Sequence, residues 1–208
     1  MTPFSWSGLA WFGVATVVLV ALMLVLELLV RRRGVGPETT RRIAHVLACL
    51  YGVFAHSVLP PWLFVAACSL FVVALVISRR RGLLAAVHTT RRRSLGEVYL
   101  PGGIIIAALA GAVAGSDGVF LAAILILSFA DVAAGVTGDL LRSTTKTWWG
   151  SLAFFVVAGV ITLVCGFSPL ASVTVALAAT AAERVSTRGL DNLTVPVVAG
   201  VLLALFAR

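Results

Sequence analysis

The stretch Phe120-Leu121-Ala122-Ala123-Ile124-Leu125-Ile126-Leu127-Ser128-Phe129-Ala130-Asp131-Val132-Ala133-Ala134-Gly135-Val136 decides how this chain is built. Without Asp131 it is an unremarkable membrane-spanning helix. A carboxylate at such depth is costly even on the gentlest insertion scale, so it persists only where it is paired, hydrated or functional. Two further polar insertions stand at the mouths of apolar runs: Lys146-Thr147-Trp148-Trp149-Gly150-Ser151 and Asp191-Asn192-Leu193-Thr194-Val195-Pro196. Polar clusters at the ends of oily helices point to a reaction site at a membrane face.

The composition agrees. Of 208 residues, 61% are hydrophobic and only 12% charged, and the charges are grouped between long apolar stretches. This is an all-α, polytopic integral membrane protein with no room for a separate soluble domain. The net charge of +8 does not point to nucleic acid, because the arginines sit in short loops, where they set topology and meet anionic headgroups. Cys49, Cys68 and Cys165 are isolated in apolar segments and have no metal-ligand spacing. The first run, residues 8–30, is followed directly by Arg31-Arg32-Arg33 and preceded by no basic residue. It reads as a retained span with its N-terminus outside.

Eight hydrophobic segments are expected, near 8–30, 43–58, 61–78, 98–115, 119–137, 149–166, 170–183 and 193–207. Several fall short of the ~20 residues that cross a bilayer upright. The loops alternate in charge: 31–42, 79–97, 139–146 and 183–191 hold every Lys and Arg except Arg208. The positive-inside rule then gives about eight transmembrane helices with both termini outside. It also puts every polar cluster on the cytoplasmic face of a prokaryotic plasma membrane. Residues 1–36 form an N-terminal span and basic loop, and 37–208 the remainder of what reads as a single domain.

On a helix, Asp131 shares its face with Ala134, Gly135 and Gly138. That face is either a small-residue packing seam or a surface that admits a phosphate beside a Mg²⁺-binding carboxylate. Asp139 lies about 12 Å further along an unbroken helix, so it shares a metal with Asp131 only if the helix breaks at Gly135 or Gly138, and otherwise caps the helix or lies in the loop. Lys146 and the helix start at Gly150-Ser151 suit phosphate, or anchor the interface with Trp148 and Trp149. Glu38, Arg41, Arg42 and His45 share one face of a helix opened by Pro37, as a site element or as a solvated cap around a buried histidine. Arg91-Arg92-Arg93 is expected to read headgroups. Glu97 enters a span at Tyr99-Leu100-Pro101-Gly102-Gly103, whose proline and glycines suggest a broken helix. Glu183, Asp191 and Asn192 flank the last loop. One of the latter two can cap the final helix, with Pro196 in its first turn; Glu183 needs another explanation, and with Asp131 the acids form a candidate metal set.

These motifs resemble, in order, those of the dolichol kinase and phytol kinase family. Pro37-Glu38-Thr39-Thr40-Arg41-Arg42-Ile43-Ala44-His45 is similar to its Glu-x-x-Arg-(Arg/Lys)-x-x-His entry, and Arg93-Ser94-Leu95-Gly96-Glu97-Val98-Tyr99 to its Gly-Glu segment. Phe129 to Ala134, Lys146 to Ser151 and Asp191 to Pro196 resemble its remaining signatures. The resemblance covers residues 37–200. It implies a CTP-dependent, Mg²⁺-requiring lipid-alcohol kinase related in fold to the membrane cytidylyltransferases, with the bilayer, a nucleoside triphosphate and an isoprenoid alcohol as partners and no nucleic acid. Asp131, Glu183 and Asp191 would serve metal and catalysis; Arg41, Arg42, His45, Glu97, Lys146, Gly150, Ser151 and Asn192 would bind the nucleotide. One segment departs: where the family has Gly-Arg-(Arg/Lys)-(Phe/Tyr)-Gly, this chain has Gly138-Asp139-Leu140-Leu141-Arg142-Ser143. The alternatives are a phosphatidate cytidylyltransferase-like enzyme making a CDP-lipid, and a catalytically silent lipid-binding or transport relative.

Overall fold

The computed structural model describes residues 4–83, 94–143 and 145–207. Among them there are helices and no strand: α1 (Trp6–Arg33), α2 (Pro37–Val58), α3 (Pro61–Arg80), α4 (Gly96–Ala114), α5 (Asp117–Leu125), a π-helical turn (Ile126–Ala130), α6 (Asp131–Leu140), α7 (Trp148–Val164), α8 (Pro169–Val185) and α9 (Asp191–Phe206). The segment from α5 through the π turn to α6 is one 24-residue helix. Each apolar segment expected from the sequence falls on one of these helices. Four of them, α1, α3, α4 and Asp117–Leu140, are long and apolar enough to cross a membrane; α7 and α9 are apolar but shorter. The Arg91-Arg92-Arg93 run lies outside the described residues. The chain divides into two compact units, 1–102 and 103–208.

In the first unit α1 and α2 pack antiparallel. Gly8 lies so close to the Val58 carbonyl that a Cβ there would be 2.5 Å from the oxygen. Further along, Thr16 and Tyr51 share a hydrogen bond of 2.6 Å; further still, Leu26 and Ala44 are buried together against Met23, Leu47 and Leu75. The helix ends follow local rules. Ser5 accepts the Gly8 N–H, Gly34 ends α1 in a left-handed conformation, and Pro37 and Pro61 open α2 and α3, where a missing N–H costs nothing. Arg79, in the last turn of α3, pairs with Glu97 in the first turn of α4 and donates to the Ser94 carbonyl.

In the second unit the Asp117–Leu140 helix is sheltered over half of its most apolar stretch (50%, against 17% for α1 and α3). Val119, Ala122, Ala123, Ile124, Ile126, Leu127 and Ala130 are fully buried. Stripes of four-residue spacing, the row a helix presents to a neighbour, are buried with them: Phe154, Ala158 and Thr162 of α7 and Val195, Ala199 and Leu203 of α9, two helices that pack on this one, and Ala171, Val175 and Ala179 of α8, which packs on α7 and α9. The π turn takes up an extra residue, so everything after it stands about 100° from where a regular helix of the same residues would put it. It also strands a hydroxyl. Thr137, Thr162 and Thr180 each donate to the carbonyl four residues back, whereas the fully buried Ser128 Oγ has no partner among the described residues.

The Tyr99–Gly103 segment corrects an expectation. The helix does not break there; α4 runs unbroken with Pro101 inside it. Proline at the sixth residue removes a single backbone hydrogen bond near the helix start, which the rest of the helix outlasts. The glycine serves close packing instead. A Cβ on Gly103 would stand 1.9 Å from the Asn192 carbonyl oxygen and 3.1 Å from Pro196 Cγ, so a Gly103 Cα–H points at that oxygen. Pro196, in the second turn of α9 rather than its first, has no N–H to donate to the same carbonyl. Further along, Gly200 meets Ala110, with 2.9 Å for an added Cβ. α4 and α9 therefore meet almost backbone to backbone, as small residues allow in membrane helices.

Two outcomes follow for thermal unfolding in detergent. Gly103→Ala forces α4 and α9 apart and costs about 3 kcal/mol, the upper range for overpacking. Ser128→Ala, which removes a buried hydroxyl without a partner, leaves the midpoint unchanged or raises it by the equivalent of about 1 kcal/mol.

Candidate active site

The buried stripe of α8 continues with the same spacing from Ala179 to Glu183, so the fold carries this glutamate inward; its side chain is 7% exposed. The chain then turns tightly through Arg188 and Gly189, both at positive φ, with Ser186 and Thr194 hydroxyls 2.6 Å apart across the turn. The turn delivers Asp191 as the first residue of α9. One of its carboxylate oxygens accepts the Asn192 N–H at 3.2 Å. Asp131 arrives from a third element, directly after the π turn. Carboxylate oxygens of Asp131, Glu183 and Asp191 all lie within 4.8 Å of one another.

Lys146, just ahead of α7, ties two of them together. Its Nζ is 2.6 Å from Glu183 Oε1 and 3.2 Å from Asp191 Oδ2, and it also donates to the Glu183 carbonyl. An ammonium has three N–H groups, and these three acceptors match them. Burial pulls this lysine towards losing its proton, but the Asp191 and Glu183 carboxylates outweigh burial and hold it above the ordinary lysine value. Because the folded value is raised, the stabilisation is present in full below the ordinary lysine pKa and is lost only as the pH climbs through the raised one. Lys146 is therefore charged throughout the physiological range.

Three carboxylates face one ammonium, an excess of two negative charges. Asp131 has no hydrogen bond or ion pair with a cation among the described residues; its charged neighbours are Glu183 and Asp191. Hard oxygen donors from three elements with that charge excess fit a divalent cation such as Mg²⁺ or Ca²⁺. Soft or nitrogen ligands are not part of the group.

The start of α7 borders the cluster. Thr147 Oγ1 accepts the Gly150 N–H at 2.9 Å. A Cβ on Gly150 would be 3.0 Å from the Ala134 carbonyl, so the small-residue face below Asp131 is also a packing seam, closed by α7. Ser151 is buried and accepts a 2.9 Å hydrogen bond from Arg184 Nη1. The Arg184 guanidinium lies 3.8 Å over the ring of Trp148, which is 77% exposed.

Of the site residues expected from the sequence, the fold brings together Asp131, Glu183, Asp191 and Lys146, with Gly150, Ser151 and the buried Asn192 in the same unit. Asp139 stays at the exposed end of α6, which is unbroken between it and Asp131. Arg41, Arg42, His45 and Glu97 belong to the first unit. There Arg41 pairs with Glu38 at 3.2 Å, buried His45 has its Nε2 4.0 Å from Cys49 Sγ, and Glu97 pairs with Arg79. Sequence reasoning passed over Arg184 and Ser128. The signal for Arg184 was its place beside an acid that ends a buried stripe; Ser128 had none, since the π turn is not written in the pattern.

No protein-family model matches the chain, and no solved structure matches it. Among curated proteins it is similar to a phytol kinase from Synechocystis sp. (strain ATCC 27184 / PCC 6803 / Kazusa), 29% identical over 202 residues that take in 88% of this chain and 86% of the relative. At that level of identity the chain is a distant relative of this phytol kinase.

Proposed function

We propose that this protein is a membrane-embedded kinase that transfers the terminal phosphoryl group of CTP to the hydroxyl of an isoprenoid alcohol of the phytol, geranylgeraniol, dolichol or polyprenol type. It works at the cytoplasmic face of the plasma membrane, in a bundle of eight spans with both termini outside. The observation that carries the reading is the convergence of Asp131, Glu183 and Asp191 from three elements at the ends of apolar helices, the latter two tied together by Lys146. The distant phytol kinase relationship supports the choice of an isoprenoid alcohol as acceptor.

Phosphoryl transfer asks for positioning and charge neutralisation more than for covalent help. Asp131, Glu183 and Asp191 would hold Mg²⁺, which when bound neutralises charge on the phosphates. Lys146 fixes the side chains of Glu183 and Asp191, so two of the acids meet their ligand preorganised. As the alcohol oxygen attacks the terminal phosphorus, a carboxylate of the cluster accepts its proton, and CDP leaves with the electron pair of the broken bond. The apolar helices let the isoprenoid tail stay in lipid while its hydroxyl reaches the carboxylates.

Solubilised protein incubated with Mg²⁺, γ-labelled CTP and prenols from geranylgeraniol and phytol to long polyprenols should pass label to the lipid phase. Pyrophosphate release that requires a lipid phosphate would instead make it a cytidylyltransferase. Absence of both, together with absence of CTP binding, would leave a silent relative. Asp131→Asn should lower transfer at least about a hundredfold, the scale of losing one preorganised electrostatic group. It should also remove the rise in melting temperature that Mg²⁺ gives the wild type, while melting normally without Mg²⁺. Lys146→Met leaves the acids uncompensated and should cost about 3–5 kcal/mol of stability, as breaking a buried pair does; Mg²⁺ should recover part of that loss.

A further inference from the structure

Lys146 leaves an electrostatic question at this site. Its three N–H groups face acceptors on Glu183 and Asp191, so it serves the carboxylates rather than a phosphate. The other cations of the second unit divide simply among the described residues. Arg142 and Arg188 are exposed. Arg184 alone is half-buried and held in place without a carboxylate partner.

Its surroundings have the form of an anion-binding arm. One guanidinium nitrogen donates to Ser151 Oγ, and the plane is stacked on Trp148; stacking fixes the orientation of the fork but uses none of its five N–H groups. Ser151 is 7% exposed and accepts from Arg184, so its own O–H remains to be donated. No other hydrogen bond is made by this hydroxyl among the described residues, although buried hydroxyls usually find an acceptor. Arg184 follows Glu183 at the end of α8, and Ser151 follows Lys146 by five residues in the first turn of α7, so this pair of donors is built from the same two helix ends as Glu183 and Lys146 of the cluster. A planar guanidinium with several unused donors, next to a buried hydroxyl donor, matches the oxygens of a phosphate chain.

We propose that Arg184, oriented by Ser151 and Trp148, binds the phosphate chain of the nucleotide donor, with Ser151 as a second donor. The assignment deepens the kinase reading and rests on it for the identity of the ligand. It gives this reaction a nucleotide-binding residue that works through charge and fork geometry, separate from the carboxylates that would hold the metal.

The test uses the full chain in detergent without added phospholipid. Binding of a non-hydrolysable CTP analogue and the kinetics of prenol phosphorylation are compared for wild type, Arg184→Gln, Arg184→Lys and the exposed-loop control Arg188→Gln. Loss of a charge-assisted contact predicts analogue affinity about ten- to a hundredfold weaker in Arg184→Gln, with KM for CTP raised alike and KM for the prenol unmoved. Arg184→Lys should recover part of the loss, and Arg188→Gln should behave as wild type. Unchanged analogue affinity in Arg184→Gln, in an otherwise active kinase, overturns this assignment and leaves the kinase reading intact. So does an effect confined to anionic lipid nanodiscs, which would make Arg184 a headgroup contact. If the wild type phosphorylates no alcohol yet binds the analogue through Arg184, the kinase reading fails and this one stands.

Discussion

Three carboxylates converge within 4.8 Å in a protein whose remaining mass is largely apolar, and the Lys146 ammonium makes that convergence tolerable. Like charges brought out of water repel strongly, because the medium that would screen them is gone. Lys146 bonds a side-chain oxygen of each of two acids and the backbone of one of them. It thereby joins the entry to α7, the end of α8 and the start of α9. The acids, the turn between α8 and α9 and the seat of α7 all take their positions around this one side chain.

The backbone contact of α4 with α9 supports the same arrangement from the other side. Asp191 and Asn192 begin α9, and the Asn192 carbonyl rests on Gly103. The site end of α9 is thus held by close packing on one side and by an ion pair on the other. Neither contact needs a large side chain. This suits helices such as α9 that are shorter than a full membrane crossing and have less apolar surface with which to anchor themselves.

Much of this could be read from residue order. Apolar runs separated by charged loops marked the helices, and Asp131, Glu183 and Asp191 were visible as acids where acids are costly. Residues that depend on distant partners could not be read the same way. Pro101 and its glycines look like a break locally, yet Gly103 answers to Asn192, 89 positions away in sequence. Lys146 is visible as a cation at a helix mouth, but its pairing with Glu183 and Asp191, which come from two other helices, is not. Arg184 looks like one more loop arginine, because nothing near it in sequence announces Ser151 and Trp148 as its seat. The π turn was illegible for a related reason: a five-residue hydrogen-bond step in an otherwise regular helix is chosen by the packing around it.

That turn has an evolutionary consequence. A π turn is the mark of one residue too many, accommodated without breaking the helix. The same five residues wound as a regular helix would swing Asp131 by about 100°, away from Glu183 and Asp191. Removing one of them would instead restore a regular helix with Asp131 still in phase, because five residues of a π turn sweep nearly the angle of four α-helical ones. The extra residue is one that a shorter version of this helix would do without while still aiming its carboxylate at the same partners.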